Sequence, residues 1–298
     1  MRFGLVGTGH WARTVHGKVL AQHPTSELIG VWGRDAGRTS ATAAELEAQP
    51  YADVEALLAD VDALALAVPP PVQAAHALTA ARAGKHLLLD KPVALSPDDA
   101  HQLARAAEES GIASVVFFTS RFDAARRAWL YERSAATGWS GAEAAWTGNI
   151  FQPGSPYASS EWRQEHGGLW DVGPHALSML VPLLGEVVSV QAVAGQGDTV
   201  RLLLSHVHGG TSSALLSLTA PPAAARSDLT VWGEGGVHHL PASGPAELAF
   251  ATALDELVAA AEGGPAHPAG LPLGVHVVEV LAAAERALVS RAAQEVRR

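Results

Sequence analysis

The chain has 298 residues, of which 48% are hydrophobic and 17% charged, and its formal net charge is −10. This balance is typical of a globular protein with one large or two ordinary domains. The acidic charge, with no basic stripe to offset it, argues against a nucleic-acid partner. No apolar run reaches 18 residues, so we do not expect a membrane span, and the N-terminus is predicted to be a first strand and not a signal peptide. Cysteine is absent, which excludes disulfides and cysteine-based zinc sites and makes the cytoplasm the expected compartment.

Short apolar segments alternate with helical segments over the first 118 residues. Strands are predicted at 2–6, 28–32, 63–68, 86–89 and 113–118. Helices are predicted from the end of the glycine-rich segment 7–12 to about residue 22 and at 40–49, 54–58, 73–83 and 97–109. This alternation predicts an N-terminal Rossmann domain over 1–118, with a doubly wound parallel sheet.

The pattern changes after residue 118. A helix is predicted at 122–134 and closing helices at 248–261 and 275–293. Between them, strands are predicted at 143–151, 187–194, 200–206, 211–218, 228–232 and 237–240. Several of these strands alternate apolar and polar residues, which is typical of antiparallel strands with one core-facing side. We therefore expect a C-terminal α+β domain over 119–298 with a large, mostly antiparallel open sheet.

A glycine-rich turn, GTGHWA, joins the first strand to the first helix. It contains Gly7, Thr8, Gly9, His10 and Trp11. Such a turn lets backbone N–H groups approach a pyrophosphate at the N-terminus of a helix. The alternative is a plain tight turn, but the position between a strand and a helix favours dinucleotide binding.

The end of the second strand indicates which dinucleotide is bound. NAD sites carry an acidic residue there that holds the ribose 2′-hydroxyl, whereas this chain has Gly33 followed by Arg34. Arg34 could stack on the adenine and pair with a 2′-phosphate, assisted by Arg38 or Ser40. The sequence therefore favours NADP(H). NAD(H) is the alternative, with Asp35 holding the hydroxyl and Arg34 as a solvated charge.

Two further motifs follow buried strands at the same edge of the predicted sheet. AVPPP contains Val68 and Pro69, and HLLLDKP contains Asp90 and Lys91. Cofactors bind at the carboxyl edge of such sheets, and a lysine there can stabilise negative charge on a reacting oxygen. The alternatives are a proline strand terminator and a surface Lys–Asp pair.

The segment GGLWDVGPHALSM carries a carboxylate, Asp171, four residues before an imidazole, His175. Pro174 suits the first turn of a helix and Gly185 its end, so we expect His175 in the first turn and Asp171 in the turn before it. The positive helix terminus disfavours an imidazolium and keeps the ring ready to accept a proton. Asp171 could bond this ring or a substrate hydroxyl, which suits acid–base chemistry. The alternative is a capping aspartate beside a half-buried histidine.

In the order in which they occur, the motifs GTGHWA, VWGRD, AGKHLLLDKP, SRF, EWR and GGLWDVGPHA resemble the Gfo/Idh/MocA oxidoreductase family. The resemblance extends over essentially the whole chain. It implies an N-terminal Rossmann domain and a C-terminal domain whose open sheet often supports oligomers, so we expect a homo-oligomer.

The resemblance also implies roles for individual residues. The family's lysine, aspartate and histidine fall on Lys91, Asp171 and His175. The family's cofactor- and substrate-contacting positions fall on Arg121, Trp162 and Arg163. Three residues depart from the family pattern: Asp90 replaces glutamate, Gln73 replaces a histidine, and Ser178 replaces an aspartate.

These observations predict an NAD(P)-dependent oxidoreductase acting on a hydroxyl or carbonyl carbon of a sugar, inositol or related small molecule. His175 exchanges the proton, Asp171 orients His175 or the substrate, and Lys91 stabilises charge on the oxygen. Other expected substrate contacts are Asn149, Tyr157 and Arg163. No metal is expected. The alternative is a nucleotide-sensing regulator without catalysis, which would be expected to lack at least one of the three residues.

Overall fold

The computed structural model describes residues 1–296. These residues form two compact units. The first unit consists of Met1–Asp123 and Gly244–Val275, and the second of Ala124–Ser243 and the residues from His276 onward.

The first unit contains a six-stranded parallel sheet of order β3-β2-β1-β4-β5-β6. Its strands are β1 (Arg2–Val6), β2 (Glu27–Trp32), β3 (Gln49–Pro50), β4 (Ala63–Leu66), β5 (His86–Leu89) and β6 (Ser114–Val116). Every residue of β4 is buried, as expected for a parallel strand covered on both faces. The predicted doubly wound sheet is confirmed, with β3 as a short strand that the sequence did not indicate.

Helices connect these strands. They are α1, π-helical over Ala12–Gly17 and α-helical over Lys18–Gln22, α2 (Ala36–Glu45), α3 (Val54–Asp60), α4 (Pro70–Arg82), α5 (Pro97–Glu109) and α6 (Thr119–Phe122). Local signals explain the best-predicted of them: the Ser96 hydroxyl accepts a hydrogen bond from the N–H of Asp99, and Pro97 occupies the first turn of α5. Both features start helices. The prediction for α2 was wrong by four residues, because Asp35 caps this helix.

The second unit contains a seven-stranded sheet of order β12-β11-β7-β10-β9-β8-β13. Its strands are β7 (Trp139–Thr147), β8 (Val187–Ala194), β9 (Val200–His206), β10 (Thr211–Ser217), β11 (Arg226–Gly233), β12 (Gly236–His239) and β13 (Gln294–Glu295). Only β7 and β10 pair in parallel, and the other neighbours are antiparallel. The mostly antiparallel sheet is confirmed. The strand predicted at 143–151 lies four residues earlier, and β13 was missed.

The helices of the second unit are α7 (Ala124–Ser134), α8 (Glu161–Asp171) and α9 (Gly173–Leu184). The helix predicted at 122–134 is divided at Asp123, and α8 was not predicted. Helix α10 (Ala246–Ala261) belongs to the first unit, and α11 (Leu271–Ser290) begins there and continues into the second. Over residues 1–296, we find no helix that combines the length and the apolar character needed to cross a membrane. The functional division at residues 118 and 119 stays a prediction.

Candidate coenzyme and catalytic site

A cavity of about 430 Å³ opens where β1, β2 and β4 end, at the carboxyl edge of the parallel sheet. This edge is where dinucleotides bind in doubly wound sheets. The lining residues are Gly7, Thr8, Gly9, Trp32, Gly33, Arg34, Asp35, Arg38, Ala67, Val68, Pro69 and Val72. Three separate sequence motifs therefore meet at one cavity.

The glycine-rich turn has little room for a side chain at its first glycine, Gly7, and open space at its second glycine, Gly9. Gly7 has a φ of 136°, and a Cβ there would lie 2.5 Å from the carbonyl oxygen of Ala67. A Cβ at Gly9 would meet nothing within 4 Å. The first glycine thus permits the tight turn, and the second leaves the backbone open to a ligand.

The position of the expected acidic residue is closed to side chains. A Cβ at Gly33 would lie 2.7 Å from Thr8 Cγ2 and 3.1 Å from Thr39 Oγ1. Asp35 caps the N-terminus of α2, because its Oδ1 accepts a 2.7 Å hydrogen bond from the N–H of Arg38. Arg34 is exposed at the cavity. The cavity therefore presents the exposed Arg34 guanidinium beside Asp35, whose Oδ1 caps α2.

The proline-rich motif begins a helix. Pro70 and Pro71 occupy the first turn of α4, where a missing N–H costs nothing. The loop that follows β4 therefore includes Pro69 but not Pro70 or Pro71. Val68 and Pro69 lie before the helix and line the cavity.

Gln73, which the sequence marked only as a departure from the family pattern, holds the turn that carries Lys91. Its side chain is 1% exposed. Nε2 donates to the carbonyl oxygens of Asp90 (2.7 Å) and Pro92 (3.0 Å), and Oε1 accepts from the N–H of Asp90 (2.9 Å). Asp90 Oδ1 in turn accepts from the N–H of Lys91 at 2.7 Å. The lysine thus follows β5 on a turn fixed by four hydrogen bonds.

Several of the predicted coenzyme contacts in the first unit lie outside the cavity lining. His10 is exposed, and Trp11 is half-buried with its ring 6.5 Å from that of His16. Arg121 lies in α6 and is half-buried. The cavity lining does not include these residues, nor Asp90 or Lys91. Their contacts with a coenzyme stay predictions.

In the second unit, the α8–α9 junction carries Asp171 and His175. Helix α9 has Pro174 and His175 in its first turn and ends at Gly185, which has a φ of 87°. This confirms the predicted helix. Asp171 is 7% exposed and is the last residue of α8, so the expectation that it lies in a turn was wrong.

Arg163 connects Asp171 to two aromatic rings. Its Nε lies 3.2 Å from Asp171 Oδ2. Its guanidinium carbon lies 4.6 Å from the ring centroid of Tyr157 and 4.6 Å from that of Trp162. Planar guanidinium groups stack well on aromatic faces. Four residues that the sequence singled out, Tyr157, Trp162, Arg163 and Asp171, thus form one cluster. Asn149 pairs with Thr219 in an isolated β-bridge.

The sequence reasoning missed one acidic residue next to this junction. Asp198 Oδ2 accepts a 2.8 Å hydrogen bond from the N–H of Gly168, at the start of the segment that leads to Asp171. The two residues are 30 positions apart in the chain, so no local pattern relates them. Over residues 1–296, no cluster of three or more histidine, aspartate and glutamate side chains is placed to hold a metal ion.

A parallel sheet with a glycine-rich turn and a cavity at its carboxyl edge defines a dinucleotide-binding Rossmann unit. Comparison with known proteins identifies it further: residues 1–118 match the model of the oxidoreductase family GFO_IDH_MocA, described by its NAD-binding Rossmann fold. On this match, residues 1–118 are similar to the NAD-binding Rossmann domain of the Gfo/Idh/MocA family.

Two curated relatives match the chain over about a third of their own length. The UDP-N-acetylglucosamine 3-dehydrogenase of Acidithiobacillus ferrooxidans is 38% identical over 109 residues, which is 37% of this chain and 34% of that protein. A D-xylose 1-dehydrogenase (NADP(+)) of Haloferax volcanii is 34% identical over 126 residues, which is 41% of this chain and 38% of that protein.

The fold of the whole chain is similar to that of solved structures. The WlbA dehydrogenase from Bordetella pertussis, in complex with NADH and UDP-GlcNAcA, has a TM-score of 0.83 at 23% identity, covering 100% of this chain and 99% of that one. Both units therefore adopt a known arrangement of strands and helices.

Proposed function

We propose that the protein is an NADP(H)-dependent oxidoreductase that transfers a hydride between the nicotinamide and a hydroxyl or carbonyl carbon of a sugar, inositol or related small molecule. One observation carries the proposal: the cavity at the carboxyl edge of the parallel sheet, lined by the glycine-rich turn and two arginines. The first unit binds the coenzyme and the second binds the substrate. Location in the cytoplasm stays a prediction.

Two arginines and a glycine-rich turn at the cavity support the choice of NADP(H) over NAD(H) in this proposal. Gly7 and Gly9 let the backbone approach the pyrophosphate, and Arg34 and Arg38 provide positive charge for a 2′-phosphate. A carboxylate cannot enter at Gly33 without displacing Thr8. A relative named for its use of NADP(+) is consistent with this choice.

In this proposal, three residues carry the chemistry. The bound nicotinamide supplies or accepts the hydride. His175 donates a proton to the substrate oxygen during carbonyl reduction and accepts it during alcohol oxidation. The Lys91 ammonium stabilises negative charge that develops on that oxygen. Asp171, held by Arg163 at 3.2 Å, orients His175 or the substrate.

A sugar-like substrate suits the aromatic cluster of the second unit. The rings of Tyr157 and Trp162 flank Arg163, and aromatic rings with polar neighbours can contact both the apolar faces and the hydroxyls of such molecules. Asn149 and Arg163 are further proposed substrate contacts. The relatives are named for a UDP-sugar and for D-xylose. No comparison supports the alternative of a non-catalytic regulator.

The proposed activity is tested by following NADPH absorbance with a panel of sugars, inositols and their keto derivatives, in both directions. His175→Ala and Lys91→Ala are expected to lower kcat by about 100-fold or more while NADPH still binds. The surface variants His239→Ala and Lys18→Ala serve as matched controls and should keep wild-type kcat. Near-full activity of both site variants would reject the mechanism.

We also propose that the chain forms a homo-oligomer through the outer face of its seven-stranded sheet. This outer face is defined by Val193, Leu203, Trp232 and Val237, which the strand pairings put on one side of the sheet. Their exposed fractions are 66%, 52%, 38% and 61%. The opposite side carries the buried alternating residues of β9. Exposed apolar side chains gathered on one face of a sheet favour association.

A further inference from the structure

The carboxylate of Asp198 accepts five hydrogen bonds from residues of the second unit. It lies in the loop between β8 and β9 and is half-buried. Oδ2 accepts from the N–H groups of Gly168 (2.8 Å) and Leu218 (2.8 Å). Oδ1 accepts from the hydroxyl of Ser217 (2.8 Å) and from the hydroxyl (2.6 Å) and N–H (3.1 Å) of Thr219. One side chain therefore joins the β8–β9 loop, the end of β10 and the middle of α8.

These bonds favour the ionised carboxylate. Burial alone would raise the pKa of Asp198. The hydrogen bonds from Thr219, Leu218, Ser217 and Gly168 outweigh burial, so the pKa lies below its usual value. Asp198 is thus a fixed negative charge at neutral pH, and hydrogen bonds to a charged acceptor are stronger than neutral ones.

The backbone at Gly167 and Gly168 packs closely against Asp198 and the end of β10. Helix α8 is kinked at Gly167, whose φ is 59° and ψ is −158°. A Cβ at Gly167 would lie 3.1 Å from the Cβ of Asp198, and a Cβ at Gly168 would lie 2.7 Å from the backbone nitrogen of Ser217. The two glycines therefore allow the chain to pass directly between Asp198 and the end of β10.

The kink makes Gly168 the first residue of a new helical turn. The carbonyl oxygen of Gly168 accepts from the N–H of Val172 at 3.0 Å. Asp198 accepts from the N–H at the opposite end of this turn, as an N-cap does, although it comes from a distant loop. Asp171 is the third residue after Gly168, and α9 with His175 begins at Gly173. A shift of Gly168 would displace Asp171 and the start of α9 together.

We infer that Asp198 is a positioning residue for the reaction: its carboxylate fixes Gly168, and through this helical turn it sets where Asp171 and His175 lie. The inference rests on the proposed function, in which these two residues act on the substrate. Asp198 itself contacts no reacting atom in this proposal.

Alanine and asparagine variants separate positioning from general stability. Asp198→Ala removes all five acceptor contacts and is expected to lower kcat by about 10- to 100-fold, because displacements of about 1 Å have such effects. Asp198→Asn retains one carbonyl oxygen, which can accept from Gly168 and Leu218, and should recover most of kcat. The Kd for NADPH should stay within about twofold in both variants, because the cavity lies in the first unit.

Hydrogen exchange provides a readout that does not depend on activity. The amide of Gly168 should exchange faster in Asp198→Ala than in the wild type and be protected again in Asp198→Asn. Asp53→Ala is the matched control, since Asp53 caps α3 in the first unit by accepting from the N–H of Ala56 at 2.7 Å. This variant should lose stability, as Asp198→Ala does, yet keep kcat at temperatures where both remain folded.

The outcomes distinguish the two proposals. If the wild type turns over and Asp198→Ala keeps kcat within about twofold, or if Asp53→Ala loses as much, the assignment of Asp198 is wrong while the proposed function stands. A wild type that turns over no substrate with either coenzyme rejects the proposed function, and the role of Asp198 in catalysis with it.

Discussion

Replacing Arg34 with alanine is expected to weaken NADPH binding and leave NADH binding nearly unchanged. Arg34 lies at the cavity formed by the glycine-rich turn and the end of β2. The two coenzymes differ only by the 2′-phosphate, so a residue that pairs with this group changes one affinity and not the other. The comparison of the two coenzymes therefore isolates the proposed contact.

The size of the effect follows from the exposure of the side chain. A hydrogen bond to a charged group contributes about 1.5–3 kcal/mol, which corresponds to about 10- to 150-fold in Kd. Arg34 is exposed and Arg38 remains beside it, so solvent screening favours the lower end, about 10-fold. The Arg34→Ala/Arg38→Ala double variant should lose more, and raising the salt concentration should reduce the wild-type preference for NADPH.

The assay is titration of each coenzyme followed by tryptophan fluorescence. Arg105→Ala, on the exposed surface of α5 in the same unit, is the control and should bind both coenzymes as the wild type does. Equal losses for NADPH and NADH, or no loss for NADPH, would refute the assignment of Arg34 to the 2′-phosphate.

Three further predictions concern stability and assembly. Gln73→Leu should lower the free energy of unfolding in urea by about 2–4 kcal/mol, because it leaves the buried polar groups around Lys91 without partners; a loss below about 0.5 kcal/mol would contradict this role. Burial lowers the pKa of His16 to about 3, so the unfolded state binds its proton first, and stability is lost as the pH falls from about 6.5 towards 3. His16→Leu should make the pH dependence of unfolding shallower by roughly 1 kcal/mol per pH unit between pH 6 and 4, whereas His239→Gln should not. Leu203→Glu should dissociate the proposed oligomer in sedimentation experiments, and an unchanged molecular mass would argue against the outer face.

Local signals explain which parts of the fold could be predicted. Helix α5 was predicted to the residue because its cap, its proline and its buried residues all lie within the segment. His175 was placed in a first turn because Pro174 and Gly185 mark the two ends of α9. Helix α8 was missed because Gly167 and Gly168 interrupt its sequence pattern, and the positive φ at Gly167 kinks it.

Interactions between distant segments explain the rest. The ends of β7 are set by its pairing with β10 and β11, whereas the apolar pattern of the sequence continued to Phe151. Asp198 bonds to residues about 20 to 30 positions away, and Gln73 contacts a turn 17 to 19 positions away. Neither contact leaves a periodic trace in the sequence, so only the folded chain shows what these two side chains bind.

Transfer of deuterium from NADPH deuterated at C4 of the nicotinamide, detected by mass spectrometry of the product, tests the central claim most directly. With a keto sugar or related carbonyl compound that the wild type reduces, the deuterium should appear on the former carbonyl carbon, and His175→Ala should slow its appearance by about 100-fold or more. A wild type that binds NADPH but transfers no deuterium to any carbonyl compound of the panel would contradict the proposal of an oxidoreductase.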